Sequence, residues 1–418
     1  MTRKIIAIIF IFLCTSVAWA ILGATIFART YDSSSISTGQ VESTWGAPQN
    51  QGPPTASFIM QVPKEGETVD NGRIIKKTWN ENVAVDLPLE SSKINVYLDL
   101  DHRQKGLLWY STYKVRFGGV YDFRNTSDKE QTVAFQLRFP TSQAIYDNLT
   151  FTVDGNPAVL SNEKNIAKAT VKIGAGKTAQ LQVGYTSQGL NEWRYSFGSA
   201  DVAQVKDFDL QMTTNFKAID FPDNTLSPTE KRDTGNGWAL TWSYKNLLSG
   251  YQIAMAMPEK LQPGPLAGRI SFFAPVSLLF FFFLMLIITT MRGIDLHPMN
   301  YFFLAAAFFS FHLLMAYLVD HISIHASFAI SGAVSVFLVV SYLRLVVGTR
   351  FATREAALAQ FVYLIMFSYA FFLKGFTGLA ITIGSVLTLF VVMQVTGRIR
   401  WAEKFAVKSP AESAAKTR

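Results

Sequence analysis

One long apolar stretch, a polar block of about 240 residues, then five more apolar stretches: that order constrains the fold more than any other feature of the chain. The stretches are Ile5–Phe27, Phe272–Met291, Tyr301–Val319, Ala326–Val346, Ala356–Leu373 and Phe376–Val395. At a rise of 1.5 Å per helical residue, about 20 residues match a hydrocarbon core of ~30 Å. Hydrocarbon offers no hydrogen bonds, so each backbone must pair within its own segment, which predicts a helix for every stretch. The expected fold class is therefore a membrane protein with six transmembrane helices, one plus five, in an α-helical bundle. Between them lies a large antiparallel all-β, sandwich-like domain. The expected divisions are an anchor over 1–28, a stalk over 29–63, the β-rich domain over 64–268, a five-helix domain over 269–397 and a basic tail over 398–418.

Charge placement gives the orientation. The net charge is +8, yet residues 30–268 hold 23 Lys+Arg against 25 Asp+Glu. With a cytoplasmic amino terminus, twelve basic residues fall on that side of the membrane ends: Arg3, Lys4, Arg292, Arg344, Arg350 and Arg354, then six more from Arg398 to Arg418. Only Arg29, Arg269 and Lys374 fall on the other. Twelve against three is the positive-inside pattern. It predicts both termini in the cytoplasm and residues 29–269 outside. The basic excess is thus a topology signal: the bilayer is the partner it points to, and nothing in it asks for nucleic acid.

The first stretch has a rival reading as a cleaved signal peptide, with Arg3-Lys4 in front and Ala18-Trp19-Ala20 as a cleavage pattern. The apolar run continues through Ile21, Leu22, Ile26 and Phe27, which favours a retained anchor. Cys14 is the only cysteine and lies in that stretch, so the external domain has no disulfide and no thiolate ligand. A domain of that size holds itself together by core burial alone.

Gly, Pro and Ser from Tyr31 to about Pro63 predict an irregular stalk. Beyond it the hydrophobic period becomes two. Tyr113, Val115 and Phe117 alternate with polar residues, as do Val133 to Phe139 and Leu149 to Val153. Ala169 to Ile173 and Ala179 to Tyr185 predict a hairpin across Gly174-Ala175-Gly176-Lys177-Thr178. Trp193 to Phe197, Trp238 to Tyr244 and Ile253 to Met257 follow, a spacing that suits one antiparallel sandwich or two. The Gly174–Thr178 turn ends like a phosphate-binding loop. Val171 stands where the first glycine belongs, however, and a strand follows where a helix is needed. No nucleotide or other cofactor is expected.

Catalytic signatures are scarce: the chain has no His-Glu-x-x-His and no Gly-x-Ser-x-Gly. Asp99 and Asp101 beside His102 read either as a metal cluster or, more simply, as a solvated strand face. Asn125-Thr126-Ser127 and Asn148-Leu149-Thr150 are sequons, meaningful only in a eukaryotic secretory protein. Within the apolar stretches His312 is conspicuous, because polar groups there cost roughly 2.5–3.5 kcal/mol each on insertion scales. It reads as a relay or ligand group, or as a neutral imidazole bonded to a neighbouring helix. Asp320, His321 and His325 cluster in the next loop. If helical, the two histidines share a face and suit a metal or a pH-sensing pair; the plainer reading is interfacial polarity. Ala20-xxx-Ala24, Ala329-xxx-Ala333 and Ala380-xxx-Gly384-xxx-Thr388 predict close helix approaches.

The run Leu296-His297-Pro298-Met299-Asn300-Tyr301, then Phe311-His312-Leu313-Leu314, then Asp320-His321-Ile322 resembles the CreD family of bacterial inner-membrane proteins. Trp45-Gly46-x-x-Gln49 with Gly52-Pro53 is similar to that family's stalk pattern. The resemblance covers about residues 290–400 and the stalk, not the β-rich domain, and Thr396–Trp401 is a looser form of the family's ending. It marks His297, Tyr301, His312, Asp320, His321 and Trp45 as candidate functional residues, and the loop cluster adds His325. It implies a role in cell-envelope integrity, tied to two-component envelope regulation, with no established enzymatic activity. The functions that follow, in order, are envelope maintenance through a periplasmic partner, a small transporter or channel using the five helices, and last an enzyme.

Reporter fusions test the topology directly. A fusion at Gly155 should report the periplasm and one at Gly348 the cytoplasm, and the opposite pair overturns the orientation.

Overall fold

The computed structural model describes residues 2–70, 73–105, 108–163, 165–198 and 202–397. The expected basic tail over 398–418 lies outside them. The chain divides into two compact units, Met1–Ser35 with Gly106–Leu108 and Leu261–Arg418, and Ile36–Lys105 with Trp109–Lys260.

The first unit is helical, with six helices of membrane-crossing length and hydropathy among the described residues. They are α1 (Thr2–Trp45, of which Arg3–Tyr31 is the apolar part), α2 (Pro263–Arg292), α3 (Pro298–Leu318), α4 (Ile324–Val346), α5 (Thr349–Phe372) and α6 (Thr377–Thr396). Starts and stops follow local chemistry. Pro263 and Pro298 occupy first-turn positions, where the missing N–H is no loss. Gly293 closes α2 at φ 68°, a left-handed cap that suits glycine. Hydroxyls at membrane depth bond back to their own helix, as Thr15 does to the Ile11 carbonyl at 2.8 Å. α5 is irregular, with π-helical turns at Ala352–Ala356 and Phe361–Met366 and a 3₁₀ end at Ala370–Phe372.

Sixteen strands lie among the described residues of the β-rich part. In chain order β1–β8 are Gln49–Gln51, Thr55–Asp70, Arg73–Asp86, Leu89–Lys105, Leu108–Arg124, Gln131–Arg138, Tyr146–Val153 and Asn156–Pro157. β9–β16 are Ser161–Glu163, Ile166–Ile173, Thr178–Leu190, Glu192–Tyr195, Ala203–Thr214, Glu230–Asp233, Trp238–Ser249 and Ile253–Ala256. They form an eight-stranded sheet (β14-β15-β13-β4-β5-β11-β7-β8), a five-stranded sheet (β3-β2-β6-β10-β9) and a three-stranded sheet (β1-β12-β16). Pairing is mostly antiparallel, but β13 runs parallel to β4 and β1 parallel to β12, so the domain is mixed rather than all antiparallel. Inward residues of the two large sheets share one core: Phe135 of β6 meets Phe123 of β5 edge-to-face at 5.7 Å.

Two expectations change here. The residues after Tyr31 are helical through Trp45 and then enter strands β1 and β2 rather than forming an irregular stalk. Ser43 and Thr44 bond back to the Gln40 carbonyl, so the polar run supports a helix until Gly46, at φ 104°, ends it. The predicted hairpin is the second change. β10 pairs with β6 and β9, while β11 pairs with β5 and β7, so Gly174–Thr178 carries the chain from one sheet to the other. Both strands alternate toward the same core from opposite sides, and alternation alone does not say which sheet a strand joins. The crossing is pinned by Asn125, fully buried, whose amide donates to the carbonyls of Lys129, Ile173 and Gly174 at 2.9–3.0 Å. That asparagine of the first sequon is therefore a structural group.

The core also holds tyrosines. Tyr113 donates to the Glu192 carbonyl at 2.7 Å and Tyr185 to the Gln51 side-chain oxygen at 2.7 Å, while the Tyr121 and Tyr195 hydroxyls face each other at 3.5 Å. Burial raises all four phenols above their ordinary value of 10.0, and pushes half-buried Tyr146 up to about 12. Above pH 10 the unfolded chain loses phenolic protons that the folded chain keeps, so stability is intact below about pH 10 and falls as pH rises beyond it. Alkaline titration should therefore show these phenols ionising together with loss of the β circular dichroism. Ionisation near pH 10 with the β signal unchanged contradicts their burial.

Candidate functional site

His312 sits on α3, fully buried, and its Nδ1 lies 3.1 Å from the Trp19 indole nitrogen of α1. The same Nδ1 is 3.2 Å from the Phe308 carbonyl. Indole N–H only donates and a carbonyl only accepts, so one atom cannot satisfy both. With Nδ1 as acceptor, Trp19 is paired and one polar atom, Nε2, is left without a partner. The other tautomer strands the indole as well, so the first is the assignment of lower cost. Around the pair stand Phe308, Phe309 and Phe311, with Phe309 edge-on to Trp19 at 5.2 Å and Phe311 edge-on to His312 at 4.8 Å. The sequence offered both a relay and a bonded imidazole. The geometry is that of a helix-to-helix hydrogen bond, and among the described residues no acid bonds to it.

This bond is the middle one of three. Toward one end of α1, Lys4 pairs with Asp295 at 2.8 Å; toward the other, Arg29 pairs with Asp320 at 3.1 Å. Arg29 also donates to the Ala316 carbonyl at 2.9 Å, in the last turn of α3, where a cation complements the helix dipole. Asp320 is therefore a structural partner of α1. Close packing completes the join. A Cβ on Gly23, Gly268 or Gly264 would meet Phe272, Phe27 or Thr30 at 3.4, 3.1 and 2.5 Å respectively. As the position on α1 rises the position on α2 falls, the register of antiparallel neighbours.

The remaining candidates disperse. His297 caps α3, its Nδ1 accepting from the Met299 N–H at 3.2 Å. Tyr301 is fully buried, with Phe282 edge-on at 5.3 Å. His321 stands in the turn before α4 and His325 within α4, so they do not share one helical face; His325 lies against Phe372 at 5.2 Å. Among the described residues no three His, Cys, Asp or Glu gather to hold a metal. Asp99, Asp101 and His102 turn to separate partners: Asn215 at 2.5 Å, Arg103 at 2.8 Å and the Pro258 carbonyl at 2.7 Å.

Trp45 belongs to the β-rich unit, its ring covered by the Arg103 guanidinium at 3.3 Å. After Gly46, Gln49 donates to Ser187 at 2.9 Å and to the Gln188 carbonyl at 2.8 Å, and Gln51 accepts from Tyr185. The Trp-Gly-x-x-Gln run thus lays two buried glutamines into the domain and is a structural closure.

Sequence reasoning missed the polar face of α4. Ser327, Ser331 and Ser335 recur every four residues and are fully buried; Ser335 donates to the Ala307 carbonyl at 2.6 Å and accepts from buried Gln360 of α5 at 2.8 Å. His312 is therefore not nearly alone at membrane depth. The spacing was there to read. By contrast Ala20, Ala24, Ala329, Ala333 and Gly384 are exposed, so the small-residue pairs named from sequence do not mark the packed faces.

A helical membrane bundle with one large, mostly antiparallel β domain defines a multi-pass membrane protein. The chain belongs to the CreD family: the family described as inner membrane protein CreD matches residues 1–402. No curated protein matches it. A Legionella pneumophila protein described as nutrient-binding aligns at 10% identity over 56% of this chain and 76% of its own, with a TM-score of 0.31. An M1 zinc metallopeptidase of Deinococcus radiodurans aligns at 9% over 40% of this chain and 42% of its own, with a TM-score of 0.25. Both scores are below 0.5, and neither likeness bears on the fold or function of this chain.

A double-mutant cycle measures the central contact. Trp19→Phe and His312→Phe keep bulk and remove the bond, and their coupling in detergent-titrated unfolding should be about 0.6–1.7 kcal/mol. Strictly additive losses would show that indole and imidazole do not interact.

Proposed function

We propose that this chain is a non-enzymatic envelope-maintenance protein of the inner membrane, with both termini cytoplasmic and its β-rich unit in the periplasm. In this reading the unit engages an envelope protein through a projecting β-arm. The arm is the observation that carries the reading. β2 pairs with β6 only from Thr55 to Phe58, but with β3 all the way from Ser57–Asp86 to Asp70–Arg73. Past Phe58 the ribbon is two-stranded, and such a ribbon is marginal in water by itself.

Its two faces differ. Directly opposed residues share a face, so Met60 with Val83, Val62 with Glu81 and Lys64 with Trp79 form one side. Gln61 with Asn82, Pro63 with Asn80 and Glu65 with Thr78 form the other. Met60, Trp79 and Val83 are 46%, 44% and 40% exposed, and the Trp79 ring lies over Gly66, where a Cβ would come within 2.6 Å of it. The apolar side continues outward from Phe58, which is buried in the core. β3 is also the edge strand of its sheet. Met60, Val62 and Val83, separated from Trp79 by the Lys64–Glu81 ion pair at 2.7 Å, make an apolar patch with a charged interruption beside an edge strand, which suits an added strand from a protein partner.

A transporter reading draws on the irregular α5 and on the unpartnered His312 Nε2, Ser331 Oγ and Gln360 Oε1. One experiment separates the two. In a deletion strain under envelope stress, full-length Met60→Glu/Val83→Glu should fail to protect at normal abundance, whereas His312→Phe should protect. Protection by the arm variant together with failure of His312→Phe assigns function to the membrane bundle instead.

A further inference from the structure

α6 is joined to the bundle unlike the other helices. Val392 is its one buried residue among those described, and Leu379, Ile383, Val386 and Phe390 on its surface are 51–60% exposed. Between α6 and α5 lies a cavity of about 420 Å³, walled by Phe361, Tyr363, Phe367, Ile381, Gly384 and Thr388 among others, with Phe280 of α2 at one side. Small-molecule sites span ~300–1,000 Å³, so this is a space of ligand size.

The wall specifies the ligand's chemistry. Three of its hydroxyls are already used: Tyr363 pairs with Thr388 at 3.0 Å, Thr388 with the Gly384 carbonyl at 2.8 Å and Ser385 with the Ile381 carbonyl at 2.9 Å. Apart from those groups and the Tyr369 hydroxyl the wall is hydrocarbon and aromatic, with no charged side chain to receive a headgroup. Both flanking helices are of membrane-crossing length, so the medium at the cavity mouth is acyl chain. A second helix is too thick: at a diameter of ~10 Å it would fill the volume in about one turn. An extended hydrocarbon chain is far thinner. The π-helical turn Phe361–Met366 shapes the α5 wall, and such turns recur at functional sites.

We propose that the space between α5 and α6 is a binding site for one acyl chain of a bilayer phospholipid, entered sideways from the membrane. Gly384 keeps it open, since nothing lies within 4 Å of where its Cβ would stand.

The full chain carrying photoreactive benzoylphenylalanine in place of Phe367 tests this in phosphatidylethanolamine/phosphatidylglycerol nanodiscs. Irradiation should add the mass of one phospholipid. Gly384→Phe, which fills the cavity, should lower that yield at least fivefold, while Val386→Phe, on the opposite face of α6, should leave it unchanged. Should Gly384→Phe not assemble, Ala380→Leu at the same wall serves with the same expectation. Equal yields in cavity and surface variants mean ordinary contact with bulk lipid and overturn the proposal. A product of doubled chain mass, the mark of a second copy in the space, overturns it too.

Discussion

The indole of Trp19 donating to the imidazole of His312 is the contact on which the membrane bundle turns. Lipid chains are as apolar as leucine, so burial alone does little to hold α1 against its neighbours. Few α1 side chains at membrane depth are buried, and Ile6, Ile9, Phe10, Leu13, Val17 and Ile21 face outward. What holds the helix is polar bonding at three depths, with glycine-lined packing against α2 from Gly23 to Thr30. About 15 Å of helix separates Trp19 from Arg29, and about 9 Å of α3 separates His312 from its last residue, Leu318, with Asp320 in the turn beyond. Partners on α1 and α3 thus rise together, as in parallel neighbours. A staple in the middle alone would allow rotation; the pairs at both ends fix the register.

In the β-rich unit the matching constraint is closure of the core between sheets. Asn125 pins the Gly174–Thr178 crossing, and Gln49 and Gln51 lie buried at the start of the domain with their amide N–H groups paired. These are buried polar groups whose loss would leave carbonyls stranded, a larger cost than the bond itself. With the core closed in this way, the β2–β3 ribbon continues beyond it past Phe58.

Much of this was legible in the sequence, and the limits have physical causes. Six spans followed from length and hydropathy, because a bilayer imposes both. Strands such as Val133–Phe139 followed from period-two alternation, since one face of each meets the core. Pairing did not: Ala169–Ile173 and Ala179–Tyr185 alternate as a hairpin would, yet join different sheets. The arm was missed because a ribbon outside the core does not have to alternate cleanly. Of the candidate residues, His312 takes a buried bond between helices, and its partner Trp19 stands in the sequence only as part of a cleavage pattern. A tryptophan in the middle of an apolar stretch, away from the interfaces where it is favoured, was the available clue. Helical spacing would likewise have found Ser327, Ser331 and Ser335, while Ala329 and Ala333 have the same spacing on an exposed face.

The central claim is that α1 is a permanent member of the bundle rather than an export signal. Cleavage after Ala20 would remove Trp19 and Lys4, leave His312 without its donor, and reduce the helix to its outer part. The intact mass of the protein purified from inner membranes decides the matter. The mature chain should still contain residues 1–20; a chain beginning at Ile21 would mean that α1 is an export signal.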